Sequence, residues 1–219
     1  MAGPGFQVSN LACRRGGRLL FKGLSFELRP GNALLITGRN GVGKTSLLRL
    51  LSALAPAEEG DLVLNGTAQD EDTELYRSRL AYLGHRNALK PTLSVAENIQ
   101  FWAGLRGNTD IDNALDALSI SFLKDTPVRL LSSGQKRRTA LARLKACGAD
   151  LWLLDEPSTG LDQSSRQKLD AMIEQHRKTG GMVIAVAHGD LNLPDAKALK
   201  LEDWACLLYT SDAADESCS

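Results

Sequence analysis

Apolar residues fall into three kinds of run along this chain. The first alternates. Phe6-Gln7-Val8 and Leu24-Ser25-Phe26-Glu27-Leu28 place an apolar side chain at every second position, as half-buried strands do. Gly16-Gly17 and Pro30-Gly31 punctuate these stretches. The second kind is continuous. Ala33-Leu34-Leu35-Ile36-Thr37 and the segments 150–154 and 182–187 read as strands buried on both faces, and Leu62-Val63-Leu64 before Asn65-Gly66 reads as strand then turn. The third repeats with helical spacing. Leu47, Leu48, Leu50, Leu51 and Leu54 predict a helix over 44–54. Ser94 and Glu97 have the spacing of a capping box ahead of Ile99, Phe101, Trp102 and Leu105. Further helices are expected over 111–118, about 134–146 and about 163–178. The repeated β/α alternation predicts an α/β fold with a mostly parallel sheet, an N-terminal antiparallel β part and an inserted helical subdomain over about 90–147.

A chain of 219 residues with 43% apolar content fits one domain with a proper core. Lys and Arg total 26 against 26 Asp and Glu, which gives no argument for nucleic acid or a charged membrane surface. No apolar run reaches the roughly 18 residues of a spanning helix, and the N-terminus shows no signal-peptide pattern. Cys13, Cys147, Cys206 and Cys218 have no metal-ligand spacing and read as incidental thiols of a reducing cytoplasm. The last stretch, Cys206-Leu207-Leu208-Tyr209-Thr210-Ser211-Asp212-Ala213-Ala214-Asp215-Glu216, reads like a translated sequencing adapter. On that reading the domain covers 1–205 and 206–219 is a non-native tail; the alternative is a native polar tail.

Between the run 33–37 and the leucine-rich helix lies Gly38-Arg39-Asn40-Gly41-Val42-Gly43-Lys44-Thr45-Ser46. Glycines let a backbone approach phosphates closely, and N–H groups at a helix N-terminus bind them. In this spacing Lys44 reaches the β/γ-phosphates of ATP and the Thr45 hydroxyl ligates Mg²⁺. Asp155 ends an apolar strand, where a further Mg²⁺ contact is needed, and Glu156 follows it. Leu131-Ser132-Ser133-Gly134-Gln135 opens a helix; Ser132 and Gln135 form a possible capping box, while the hydroxyl and the small Gly134 permit close approach to a phosphate. The two readings are compatible.

Taken in order, the phosphate loop, the LSSGQ segment, the strand ending at Asp155-Glu156, Ser158-Thr159-Gly160-Leu161-Asp162 and His188 resemble the motifs of ATP-binding cassette (ABC) proteins. That resemblance implies that Glu156 orients or deprotonates the attacking water and that His188, 32 residues further on, contacts the γ-phosphate. It also implies that 131–135 and Asp162 act across the interface of a homodimer, on ATP held by the partner.

Two positions depart from the family. The glutamine expected in the loop after the strand near Tyr82 is replaced by His85, and the adenine-stacking aromatic by Arg15. Arg15 either stacks its guanidinium on adenine or belongs to a solvated basic turn. Tyr82-Leu83-Gly84-His85, the stretch from Leu89 to Asn98, Phe101-Trp102, the segment 130–144 and the segment 10–18 resemble ATPase subunits of cytochrome c maturation (haem exporter) complexes. The resemblance covers about residues 6–205. It implies a peripheral subunit on the cytoplasmic face of an inner membrane, paired with integral membrane permease subunits and serving haem delivery to a periplasmic chaperone. Nothing in the chain reads as a direct haem site: there is no CxxCH and the three histidines lie far apart. Trp102 reads either as core or as a contact for the membrane partner. The alternatives are an ABC transporter ATPase with another cargo, a soluble ABC ATPase, and a nucleotide-binding module without activity. A soluble ABC ATPase usually joins two cassettes or inserts a coiled coil. The intact Lys44, Asp155, Glu156 and His188 speak against the inactive module.

Overall fold

The computed structural model describes residues 4–108, 110–187 and 191–205. Two sheets organise it. The strands β1 (Phe6–Arg15), β2 (Arg18–Leu28), β4 (Glu59–Leu64) and β5 (Thr67–Ala68) form an antiparallel sheet in the order β2-β1-β4-β5. The strands β3 (Ala33–Thr37), β6 (Leu80–Leu83), β7 (Leu151–Asp155), β8 (Met182–Val186) and β9 (Lys197–Lys200) form a parallel sheet in the order β6-β7-β8-β3-β9. The helices are α1 (Lys44–Leu51), α2 (Thr73–Ser78), α3 (Val95–Gly104), α4 (Asp112–Ala117), α5 (Ser133–Ala146) and α6 (Gln163–Lys178).

The continuous apolar runs form the central strands because each face of the parallel sheet meets its own core. Leu151, Leu153, Met182, Ile184, Val186, Leu34 and Ile36 point toward α1 and the antiparallel sheet. Trp152, Leu154, Val183, Ala185 and Ala33 point toward α3, α4, α5 and α6. Period-two alternation therefore survives inside each run, hidden because both faces are dry.

Local chemistry sets the boundaries. Asn65 (φ 48°) and Gly66 (φ 79°) make the left-handed two-residue turn joining β4 to β5. The helix starting at Lys44 ends three residues earlier than its leucines predict. Ser52 caps it, Ala53 turns left-handed (φ 53°), and Leu54 is left exposed. Ser94 and Glu97 complete both halves of the expected capping box. β1 and β2 run longer than the alternating stretches. Register shifts between Val8 and Leu11 and again at Cys13 break the period without ending the pairing.

All three central strands β7, β8 and β3 run in one direction. Their C-terminal ends therefore share an edge of the sheet, the usual place for a ligand in an open α/β sheet. The phosphate loop follows β3 and Asp155 ends β7.

Candidate functional site

At the end of β3 the chain turns through Gly38 (φ 143°) and Gly43 (φ 115°) into α1. These positions require glycine. A Cβ at residue 38 would sit 2.7 Å from Glu202 Oε2, and one at residue 43 would meet Leu20 Cδ1 at 3.3 Å in a left-handed backbone. Gly43 is the N-cap of α1 and makes no side-chain cap, so the first N–H groups of the helix are left for an anion. The Lys44 ammonium folds back over the loop and donates to the carbonyls of Gly38 (2.6 Å) and Arg39 (3.1 Å). It is nearly buried, at the mouth of the helix.

Across the cleft, Thr45 Oγ1 donates to Asp155 Oδ2 at 2.9 Å. Burial pushes the Asp155 carboxyl up; the Thr45 hydroxyl, His85 and Arg137 pull it back, and Glu156 adds to the rise. Thr45 and Asp155 thus juxtapose two hard oxygen donors beside an anion-binding loop, which fits Mg²⁺ carried by a phosphate better than a softer metal.

Glu156 leaves β7 in the left-handed region (φ 48°), unusual for a side chain of its size. Its N–H donates to Val186 O at 2.9 Å, which ties the turn to the end of β8, and its carboxylate accepts from Thr159 Oγ1 at 3.4 Å. The reversal brings Glu156 into the same cleft as Asn40, Gly41, Lys44, Thr45 and Asp155. Arg15, Leu20 and Val186 complete its lining. The cleft holds about 450 Å³, room for a nucleotide. A wider depression of about 790 Å³ lies beside α3 and α4, lined by Glu97, Asp110, Asp112 and Asp125. Its acidic lining is the wrong chemistry for a triphosphate, so size does not decide the assignment.

The structure thus gathers Arg15, Asn40, Gly41, Gly43, Lys44, Thr45, Ser46, Asp155 and Glu156 into one cleft, while Arg39 and Val42 line the adjoining hollow toward Arg18 and Ala205. His85 is exposed in the loop after β6, near enough to Asp155 to draw its carboxyl down. His188 lies outside the described residues.

The LSSGQ segment is elsewhere. Leu131 is buried and Ser132 is the N-cap of α5. Its hydroxyl oxygen accepts from Gln135 N (3.2 Å), while Gln135 Oε1 accepts from Ser132 N (2.9 Å). Among the described residues lining the cleft, none belongs to 131–135. Asp162 caps α6 in the same manner, accepting from Ser165 N at 2.7 Å.

Two residues of this region are not signalled by the sequence. Glu202, after the edge strand β9, accepts a short hydrogen bond from Arg39 N and so braces the phosphate loop from the C-terminal side. Arg137, within the Lys136-Arg137-Arg138 run, is buried under the Asp155–Pro157 turn. Trp102, for which a core position was one expectation, is 42% exposed, as is Phe101 beside it at 49%.

Residues 21–159 match the family model described as "ABC transporter". The chain is 47% identical over 211 residues to the cytochrome c biogenesis ATP-binding export protein CcmA of Paramagnetospirillum magneticum, covering 94% of this chain and 97% of that protein. It is 48% identical to the protein of the same name from Rhodospirillum rubrum, covering 91% and 87%. Against the one from Vibrio parahaemolyticus the figures are 38% identity, 90% and 99%. Among solved structures, an ABC transporter ATP-binding protein from Pyrococcus furiosus superposes with a TM-score of 0.80 at 23% identity, over 92% of this chain and all of that one. The ATP-binding subunit of another ABC transporter gives 0.80 at 19%, over 84% and 80%. The chain belongs to the ABC transporter family, in its CcmA group, and is an ABC-type ATPase.

Proposed function

We propose that this chain hydrolyses ATP as the homodimeric motor of a membrane complex serving haem delivery in cytochrome c biogenesis. It works as a peripheral subunit on the cytoplasmic side of an inner membrane, held there by integral permease subunits. The ABC domain takes in residues up to about 205, with a helical subdomain over about 90–147. The near full-length similarity to proteins named for cytochrome c biogenesis and export supports the biological role. One observation carries the chemistry: Glu156 lines the same cleft as Lys44 and the Thr45–Asp155 pair.

The N–H groups of 40–45 and the Lys44 ammonium bind and orient the triphosphate. Thr45 and Asp155 would hold Mg²⁺, which would supply charge neutralisation on the phosphate oxygens. Glu156 accepts the proton of a water in line with the γ-phosphate, and the products are ADP and phosphate. The resemblance gives His188 a γ-phosphate contact, and Arg15 with Leu20 offers a ledge for the base. Ser132 and Gly134 complete the site of a partner molecule. The position of the LSSGQ segment outside the cleft of its own chain favours this arrangement. The cap uses the Ser132 oxygen as acceptor and keeps its hydrogen as a donor.

The face of α3 suits the permease. Phe101 and Trp102 meet edge to face at 5.5 Å, with Lys90 over one ring (5.0 Å) and Arg143 over the other (5.4 Å). Half-exposed aromatics held rigid in this way are the usual anchors of an interface. The test is Glu156→Gln. It keeps shape and hydrogen bonding and removes the base, so hydrolysis should fall by roughly 10²–10⁴-fold while ATP remains bound. Turnover near the wild-type rate would remove Glu156 from its role.

A further inference from the structure

Arg137 lies one turn into α5 and is 4% exposed. A guanidinium has five N–H bonds in a rigid plane, and each of them has its own acceptor here. Nε donates to Pro157 O at 3.1 Å. Nη1 donates to Gly84 O at 3.0 Å and to Asn87 Oδ1 at 3.1 Å. Nη2 donates to Asp155 O at 3.2 Å and to Glu156 O at 2.7 Å. The acceptors belong to two segments, the loop 84–87 that carries His85 and the turn 155–157 that carries Glu156. The arginine itself belongs to a third, the helix that Ser132 opens. One side chain therefore ties the helix to the ends of two paired strands, β6 and β7, just where their pairing stops at Leu83 and Leu154.

Burial opposes this placement and lowers the guanidinium pKa to about 10, with the Asp155 and Glu156 carboxylates offsetting part of the effect. At neutral pH it remains a cation. The buried side of α5 carries Ala140, Leu141 and Leu144 beside Thr139 and a second buried cation, Arg143, and a charge taken out of water at 137 has to be matched by hydrogen bonds. The turn it grips is itself unusual: Glu156 holds a left-handed backbone, and that conformation persists only where its surroundings over-determine it.

We propose that Arg137 is a positioning residue for hydrolysis, which locks the Glu156 turn, the His85 loop and the signature helix into one frame. The proposal rests on the reading of Glu156 as the base. A displacement of α5 or of the 84–87 loop then moves the Glu156 backbone directly, because the same rigid plane is bonded to both. A misplacement of about 1 Å at a reacting group is enough to cost about 10²-fold in rate. In the assembled complex this gives a short route by which closure of the dimer on Ser132, or a push on the His85 loop, reaches the attacking water.

The experiment compares Arg137→Lys, Arg137→Gln, Asn87→Ala and the Arg137→Gln/Asn87→Ala double variant with Glu156→Gln, all on purified full-length protein. Steady-state kcat, KM for ATP and thermal melting are measured for each. Arg137→Gln should lower kcat by at least about 10-fold with KM within about 2-fold, the split expected of a group that acts only on the transition state. Arg137→Lys keeps the charge and three donors, so it should recover part of the rate. Asn87→Ala removes one acceptor from the surface side and should lower kcat by about 3-fold. The double variant should fall no further than Arg137→Gln alone, since both act through one network. Should Arg137→Gln fail to fold, Arg137→Lys and Asn87→Ala still decide the matter through their kcat. Wild-type kcat per folded molecule in both would overturn the proposal, as would losses in kcat that only track the loss of folded protein. Glu156→Gln separates the two claims. If it turns over normally, the base assignment falls and this proposal with it. If it is inactive while the Arg137 and Asn87 variants are unaffected, only the role of Arg137 falls.

Discussion

The two helices that carry the chemistry begin in opposite ways. α1 starts at Gly43 in a left-handed backbone with no side-chain cap. α5 starts at Ser132 with a complete capping box. An uncapped start wastes hydrogen-bonding capacity unless something else takes it up, and at α1 the proposed site gives that part to the phosphates of ATP. The start of α5 satisfies itself before any ligand arrives. What it has to offer is the remaining Ser132 hydrogen and the open space over Gly134, where an added Cβ would make only an ordinary 3.4 Å contact with Gly160 O. On the proposed reading, one helix start grips a nucleotide and the other is a finished surface offered to a nucleotide held by a second molecule.

Ser132→Arg is the strongest way to break this contrast. The large cation blocks the surface over Gly134, so hydrolysis should fall by about 100-fold or more, while ATP affinity of the isolated subunit stays within about 2-fold. Equal losses in both, measured by phosphate release and nucleotide titration, would mean that 131–135 serves its own cleft.

A second test separates the core beneath these helices from the helix starts themselves. The His176 ring on α6 stacks on Trp152 of β7, with centroids 3.8 Å apart and planes at 2°. Burial, against the pull of Met182 O and Asp150, lowers its pKa from 6.5 to about 4. The unfolded chain therefore takes a proton at a pH where the folded ring stays neutral. Stability from this group is complete above about pH 6.5 and is lost as pH falls toward 4, by at most about 3 kcal/mol. Melting curves across that window should show the slope, and His176→Gln should flatten it. An unchanged slope in His176→Gln would place the acid sensitivity elsewhere.

The smallest effect sharpens the comparison most finely. Ser94 and Ser132 make the same cap, yet only Ser132 is assigned a ligand. Ser94→Ala and Ser132→Ala should each cost about 1 kcal/mol in stability. Ser132→Ala alone should also slow hydrolysis per folded molecule. Identical activity in the two variants would reduce Ser132 to a cap.

Much of this was legible in the residues, for reasons that differ by element. β3, β7 and β8 are dry on both faces and show as unbroken apolar runs; α6 shows through its helical period. The phosphate loop is legible because its glycines answer a backbone requirement that few sequences meet. α2 and β9 were not foreseen. Among the residues of α2 only Tyr76 is buried, and Lys197-Ala198-Leu199-Lys200 is an edge strand whose lysines guard its open side. The exposure of Trp102 follows from which face of α3 meets α5, which apolar content does not encode. Arg137 escaped for a related reason. A run of three cations looks solvated, and only the approach of the 84–87 loop and the 155–157 turn, distant in sequence, makes one of them a core residue.

The central claim is that the site is completed by a second copy of the chain. Sedimentation of Glu156→Gln with and without ATP and Mg²⁺, beside the Ser132→Arg/Glu156→Gln double variant, tests it most directly. The account predicts that ATP drives Glu156→Gln into a dimer, and that the double variant binds ATP yet remains a monomer. A double variant that dimerises with ATP as readily as Glu156→Gln would contradict it.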